Sequence, residues 1–131
     1  MTENRRRLTL TLALAFALAG CAAPQPEVVR APGSAVYPPT QFVELLEQAP
    51  SRAYTEIGTI DVPGEPGALR SQVLAQIRSK AQQMGADAVI LTDMSRTTPP
   101  AQRLNPTTGT YDSVGGQVIP AFKGIAIRYR Q

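Results

Sequence analysis

The sequence predicts a small α+β domain: a ββαββ unit with one helix packed on an antiparallel or mixed sheet, following a disordered proline-rich tether. Leu69, Val73, Ile77, Ala81 and Met84 recur at helical spacing and form one apolar stripe. Residues 123–130 alternate, with Ile125, Ile127 and Tyr129 on one face and Gly124, Ala126 and Arg128 on the other. Val89, Ile90 and Leu91 follow Ala88 without a break, as a strand with apolar side chains on both faces requires.

The elements follow in chain order. Residues 22–40 hold Pro24, Pro26, Pro32, Pro38 and Pro39. Proline fixes φ and removes backbone donors, so an extended, solvated tether is expected, with Tyr37 as the residue best suited to dock. Phe42-Val43-Glu44-Leu45-Leu46 is a short apolar run read as a strand, or as one helical turn. Tyr54–Val62 is a better strand, but Ile57 and Ile60 are three apart, which breaks the period of two. A β-bulge at Gly58 returns both side chains to the core face.

The helix is expected over residues 66–84. Pro66 suits a first-turn position, and Gly85 suits a left-handed C-cap. One helix covers only one sheet face. The two-sided strand at 87–92 therefore asks for a second cover, either part of the following loop or a partner. Residues 95–120 are polar and turn-rich, and read as a long loop that is mobile or functional, with parts extending the flanking strands into a hairpin.

The chain begins with an export signal. Arg5, Arg6 and Arg7 form a basic n-region. The apolar run 8–18 is about 11 residues long, too short for a bilayer core that needs about 20. It ends in Leu18-Ala19-Gly20-Cys21, which resembles a bacterial lipobox. The resemblance implies a diacylglycerol on the Cys21 sulfur, cleavage between Gly20 and Cys21, and acylation of the new amine. Two or more acyl chains anchor stably where one is marginal. The domain plan is then signal peptide 1–20, lipidated Cys21 and tether 21–40, and ββαββ domain 41–131. Ala22 after the cysteine, by resemblance to enteric sorting, implies the outer membrane, facing the periplasm; the inner membrane is the alternative.

The signal also accounts for most of the basic excess. Of 13 basic and 10 acidic residues, Arg5, Arg6, Arg7 and Glu3 precede Cys21, which leaves a net charge of +1. No basic stripe argues for nucleic acid. Cys21 is the only cysteine, and the lipid would consume it, so the domain must hold together without a disulfide.

The chain has no histidine, which excludes His-based triads and His zinc sites. No Gly-rich phosphate loop precedes the helix, and no cofactor is expected. Glu56, Asp61, Asp87 and Asp93 are the candidate carboxylate cluster for a hard cation, if adjacent strand ends bring them together. Tyr54 and Tyr129 are the candidate aromatic surface pair, or core-edge packing.

Tyr54–Ile60, Lys80-Ala-Gln-Gln-Met-Gly-Ala-Asp-Ala-Val-Ile-Leu91 and Gly124–Tyr129 resemble small bacterial envelope lipoproteins, including RcsF-like envelope-stress sensors, and the related YbjQ-type domains. The resemblance spans about residues 42–130 and implies the fold. It carries no site residue across, because the domain has neither the disulfide cysteines of the first group nor soft metal ligands. The expected function is a non-enzymatic, membrane-anchored interaction or envelope-stress sensing module with an envelope protein partner. The alternatives are a small-ligand or hard-metal-binding module, and a hydrolase that uses carboxylates alone.

Overall fold

The computed structural model describes residues 24–131. The candidate lipidation and cleavage residues Cys21 and Gly20 lie outside the described residues. Among the described residues, no helix is long and apolar enough to cross a membrane.

The elements are β1 (Glu27–Arg30), β2 (Glu44–Leu46), β3 (Tyr54–Val62), α1 (Arg70–Met84), β4 (Ala88–Asp93), β5 (Arg96–Thr97), β6 (Pro100–Leu104), β7 (Tyr111–Gly115), β8 (Val118–Ile119) and β9 (Phe122–Tyr129). Five strands form a mixed sheet of order β1-β3-β9-β4-β2, with only the β2–β4 pair parallel. The expected ββαββ order is present as β2, β3, α1, β4 and β9. The fold is larger than that unit, because nine strands are formed among the described residues.

One expectation is corrected and another is filled in. The stretch before residue 41 does not stay a free tether. β1 pairs antiparallel with β3, from Glu27 opposite Asp61 to Arg30 opposite Gly58. Prolines 26 and 32 flank this strand rather than interrupt it, so they cost no ladder bond and blunt an edge. Tyr37 packs against the core, as the sequence suggested. Within 95–120 the expected hairpin extension of the flanking strands is present, and it takes up most of the segment. β5 pairs with β8 and β6 with β7, so β4 and β9 run out into a two-stranded arm. Asn105 accepts the Thr107 N–H at 3.0 Å and donates to Asp112 at 3.0 Å, which shapes the tip.

The β3 bulge forms where the spacing requires it. The register shifts between Glu56 and Gly58, and Ile57 and Ile60 are both fully buried in the core. A Cβ on Gly58 would collide with Met84 of α1 and with the Val29 carbonyl, so this glycine admits both the helix and β1. α1 starts at Arg70, four residues later than expected; Pro66 precedes it in a turn, and Leu69 is exposed rather than part of the buried stripe. Leu69 cannot cap with its side chain; instead Gln72 accepts the Leu69 N–H at 3.1 Å. The helix ends at Gly85, at φ 79°, where its N–H returns to Ala81 and Gln82.

Val73, Ile77, Ala81 and Met84 bury against Ile60, Val62, Val89, Phe122 and Ala126. On β9 the helix covers the small-residue face. A Cβ on Gly124 would lie 2.5 Å from Val89 Cγ1. Small residues there let Ile77 reach the sheet, while Ile125 and Ile127 point to the opposite side.

Candidate functional site

The helix-free face of the sheet carries the most distinctive arrangement. Paired strand residues share a face, so the registers trace rows across the sheet. One row runs through all five strands: Val29 opposite Thr59, Thr59 opposite Ile125, Ile125 opposite Ile90, and Ile90 beside Leu46. Val29 is 53% exposed, and the other four are half-buried. The next row on the same face is Glu27, Asp61, Lys123 and Thr92, all exposed. On the other side, Glu56 stands opposite Ile127 and Glu44 beside Ala88. An apolar row thus lies inside a frame that is mainly acidic. At its β1 end a groove of about 250 Å³ opens between Val29, Pro32, Glu56 and Thr59.

Part of this face has a cover, although not the one expected. Residues 47–53 carry the chain from β2, at one edge, to the start of β3, three strands away. With α1 on the first face, this connection runs on the second. Arg52 stacks over the Tyr129 ring at 4.6 Å, and the Arg130 N–H donates to the Ala53 carbonyl at 3.0 Å. Ala88 and Ile127 are fully buried there, outside the helix-side core. The row from Val29 to Leu46 is left partly exposed.

A second, polar cleft of about 600 Å³ lies at the sheet end where β9 finishes, between Phe42, Glu44, Arg52, Asp87, Arg128 and Tyr129. Asp87 accepts the Tyr129 N–H at 3.0 Å. Arg128 donates to the Gly85 carbonyl at 2.8 Å and stacks on Tyr37 at 4.4 Å. The Tyr129 hydroxyl donates to Glu44 at 3.4 Å. Desolvation raises the Tyr129 pKa, the Glu44 charge and hydrogen bond raise it further, and Arg52 opposes them. These influences favour the neutral phenol, which donates to Glu44.

At the other end of β4, Asp93 accepts the Ser95 N–H at 2.9 Å and pairs with Arg70 at 2.7 Å. The Ser95 hydroxyl, the Ser95 N–H and the Arg70 guanidinium hold its pKa down at about 2. Arg70 also lies 4.5 Å over the Phe122 ring, closing the core at that end.

The four candidate carboxylates are not brought together. Asp87 and Asp93 bracket β4, about 20 Å apart at strand rise, and each has its own partners. Glu56 and Asp61 lie on β3. Among the described residues, no three acidic, His or Cys side chains form a metal-holding group. Tyr54 and Tyr129 are direct cross-strand neighbours, both half-buried. Sequence reasoning missed Glu44, Arg52 and Arg128, which no local motif links. The Asp93-Met-Ser95 spacing, a side chain accepting a backbone N–H two residues on, was the readable signal for the Asp93 turn.

Comparison with protein-family models, curated proteins and solved structures gives no significant match.

Proposed function

We propose that this chain is a bacterial envelope lipoprotein, anchored through lipid on Cys21, whose domain works by binding another envelope protein and not by catalysis. The observation that carries this reading is the apolar row Val29–Thr59–Ile125–Ile90–Leu46 inside its acidic frame of Glu27, Glu56 and Asp61. A partly exposed, largely apolar row, broken by Thr59 and rimmed by polar groups, fits a protein partner. The frame selects the partner's chemistry: a segment with apolar residues flanked by Lys or Arg, since like charges opposite the frame are penalised. The lipobox and the resemblance to envelope-stress sensing lipoproteins support the same reading, with the outer membrane as the favoured site.

A photo-crosslinking residue at Thr59 tests it in intact cells. One discrete adduct is expected, with a basic segment at the crosslinked site, and Glu56→Lys with Asp61→Lys should abolish it. No adduct, or one indifferent to that charge reversal, overturns the binding reading. For the anchor, Cys21→Ser should accumulate as unprocessed precursor; a normally processed, soluble product overturns it.

The cleft between Glu44, Arg52, Asp87 and Arg128 favours a second reading: a small zwitterionic ligand bound by paired carboxylate and guanidinium groups. Calorimetry with free amino acids and short peptides decides it, and Arg52→Ala with Glu44→Gln should remove any heat.

A further inference from the structure

The start of the described chain bears on how the domain sits at a membrane. Pro24 lies against α1, bordering a cleft with Val62, Gln72 and Gln76. Pro26 continues beside it, next to Gln76, Ser79 and Lys80. Three Cα–Cα steps separate Cys21 from Pro24, a reach of at most about 11 Å. The outer surface of α1 and the helix-free sheet face are about 20 Å apart, one helix diameter plus one layer spacing. The described chain therefore begins on the α1 side of the sheet, beside Gln76, Ser79 and Lys80.

Charge separates the two layers in the same sense. α1 contains Arg70, Arg78 and Lys80 and no acidic residue. Arg70 is paired with Asp93, while Arg78 and Lys80 form no ion pair among the described residues. With Val73, Ile77, Ala81 and Met84 buried, the opposite side of the helix carries Gln72, Ala75, Gln76, Ser79 and Gln83, all exposed. Arg78 and Lys80 stand at the two margins of that side, where long side chains extend outward past a flat contact. Glu65 borders the Pro24 clefts and offsets one charge. The sheet face carries Glu27, Glu56 and Asp61 against Lys123.

We propose that the outer face of α1 lies on an anionic bilayer surface beside the Cys21 anchor, so that the acidic sheet face points away from the membrane. The inference rests on the lipid-anchor reading above. Each basic residue near an anionic surface contributes about 1 kcal/mol. That is too little to recruit a free domain. It suffices to orient one that the anchor already holds within about one Debye length, roughly 8 Å at physiological salt. The sheet face brought to the same surface would meet repulsion instead. The row from Val29 to Leu46 is then presented to partners coming from the aqueous side.

The lipid consumes the only native thiol, so a single new cysteine can carry a spin label in the full-length lipidated protein. Ser79→Cys and Thr92→Cys place labels on exposed positions of opposite faces. In phosphatidylethanolamine–phosphatidylglycerol vesicles doped with nickel-chelating lipid, relaxation enhancement should be several-fold greater at Ser79 than at Thr92. Replacing phosphatidylglycerol with phosphatidylcholine, or Arg78→Glu with Lys80→Glu, should bring that ratio towards one. Equal or reversed enhancement with intact acylation overturns the orientation while leaving the anchor standing. An intact mass showing unmodified Cys21 overturns the anchor, and the orientation with it.

Discussion

The two faces of the sheet are built from the same strands and carry different work. Under α1 the packing is closed: Ile60, Ile77, Val89 and Ala126 have no exposure, and Gly58 and Gly124 leave space that only the helix and a neighbouring strand fill. On the other face, Ala88 and Ile127 are buried near the Arg52–Tyr129 stack, and the row from Val29 to Leu46 stays half-open. Side-chain size divides them. β9 offers Phe122, Gly124 and Ala126 to the helix side, with the two small residues under Ile77, and Ile125 and Ile127 to the other side. The first face is closed, and the second is in part exposed to solvent.

Substitutions can break or sharpen that contrast. Ile77→Ala, under the helix, should cost about 2–5 kcal/mol by urea denaturation, in the range of buried large-to-small changes. Ile125→Ser, on the open face, should cost at most about 1 kcal/mol, because its side chain already meets water. Equal losses would mean that the open face is part of the core.

Gly58→Val comes next. The added side chain meets the Val29 carbonyl as well as Met84. A loss of about 1–3 kcal/mol, typical of overpacking, is expected, with amide exchange accelerated first in β1. Uniform acceleration would show that β1 is integral to the sheet rather than a detachable edge.

A smaller effect is pH-dependent. The Asp93 pKa is depressed to about 2 from 3.8, so the carboxylate contributes stability that is present above about pH 4 and lost as pH falls through 2. Its side chain is 46% exposed, so after solvent screening this amounts to less than about 1 kcal/mol. Asp93→Asn should flatten the stability profile between pH 4 and 2 relative to the parent, read by thermal melts; an unchanged slope would assign the acid sensitivity elsewhere.

The smallest effect belongs to the arm. All residues of β6 and β7 are exposed, and a lone hairpin is marginal in water. Replacing 99–116 with a short Gly-containing turn should shift thermal stability by no more than about 0.5 kcal/mol, within the range of surface changes. A larger loss would show that the arm packs on the domain.

Local chemistry made much of the fold readable. The β3 bounds, the Gly58 bulge and the Gly85 cap follow from residue spacing and glycine geometry, which act within a few positions. The start of α1 did not, because Pro66 is equally at home in the turn before a helix. β1 was hidden because four residues between prolines carry little periodicity of their own and become a strand only against β3. The arm was legible as a hairpin extension of the flanking strands, but its register was not: Arg96 finds Ile119, and Leu104 finds Tyr111, only once β4 and β9 are side by side. The carboxylate cluster failed because strand order, unknown in advance, put Asp87 and Asp93 at opposite ends of one strand.

The sequence by itself determined the α+β class, the helical stripe and the bulged strand, since each depends on neighbours along the chain. Only the tertiary structure decided which face of β9 the helix covers, that β2 lies parallel beside β4, and that Val29, Thr59, Ile125, Ile90 and Leu46 make one row. Those residues are far apart in the chain. Their alignment is set by strand order and register, which the packing of the whole domain selects.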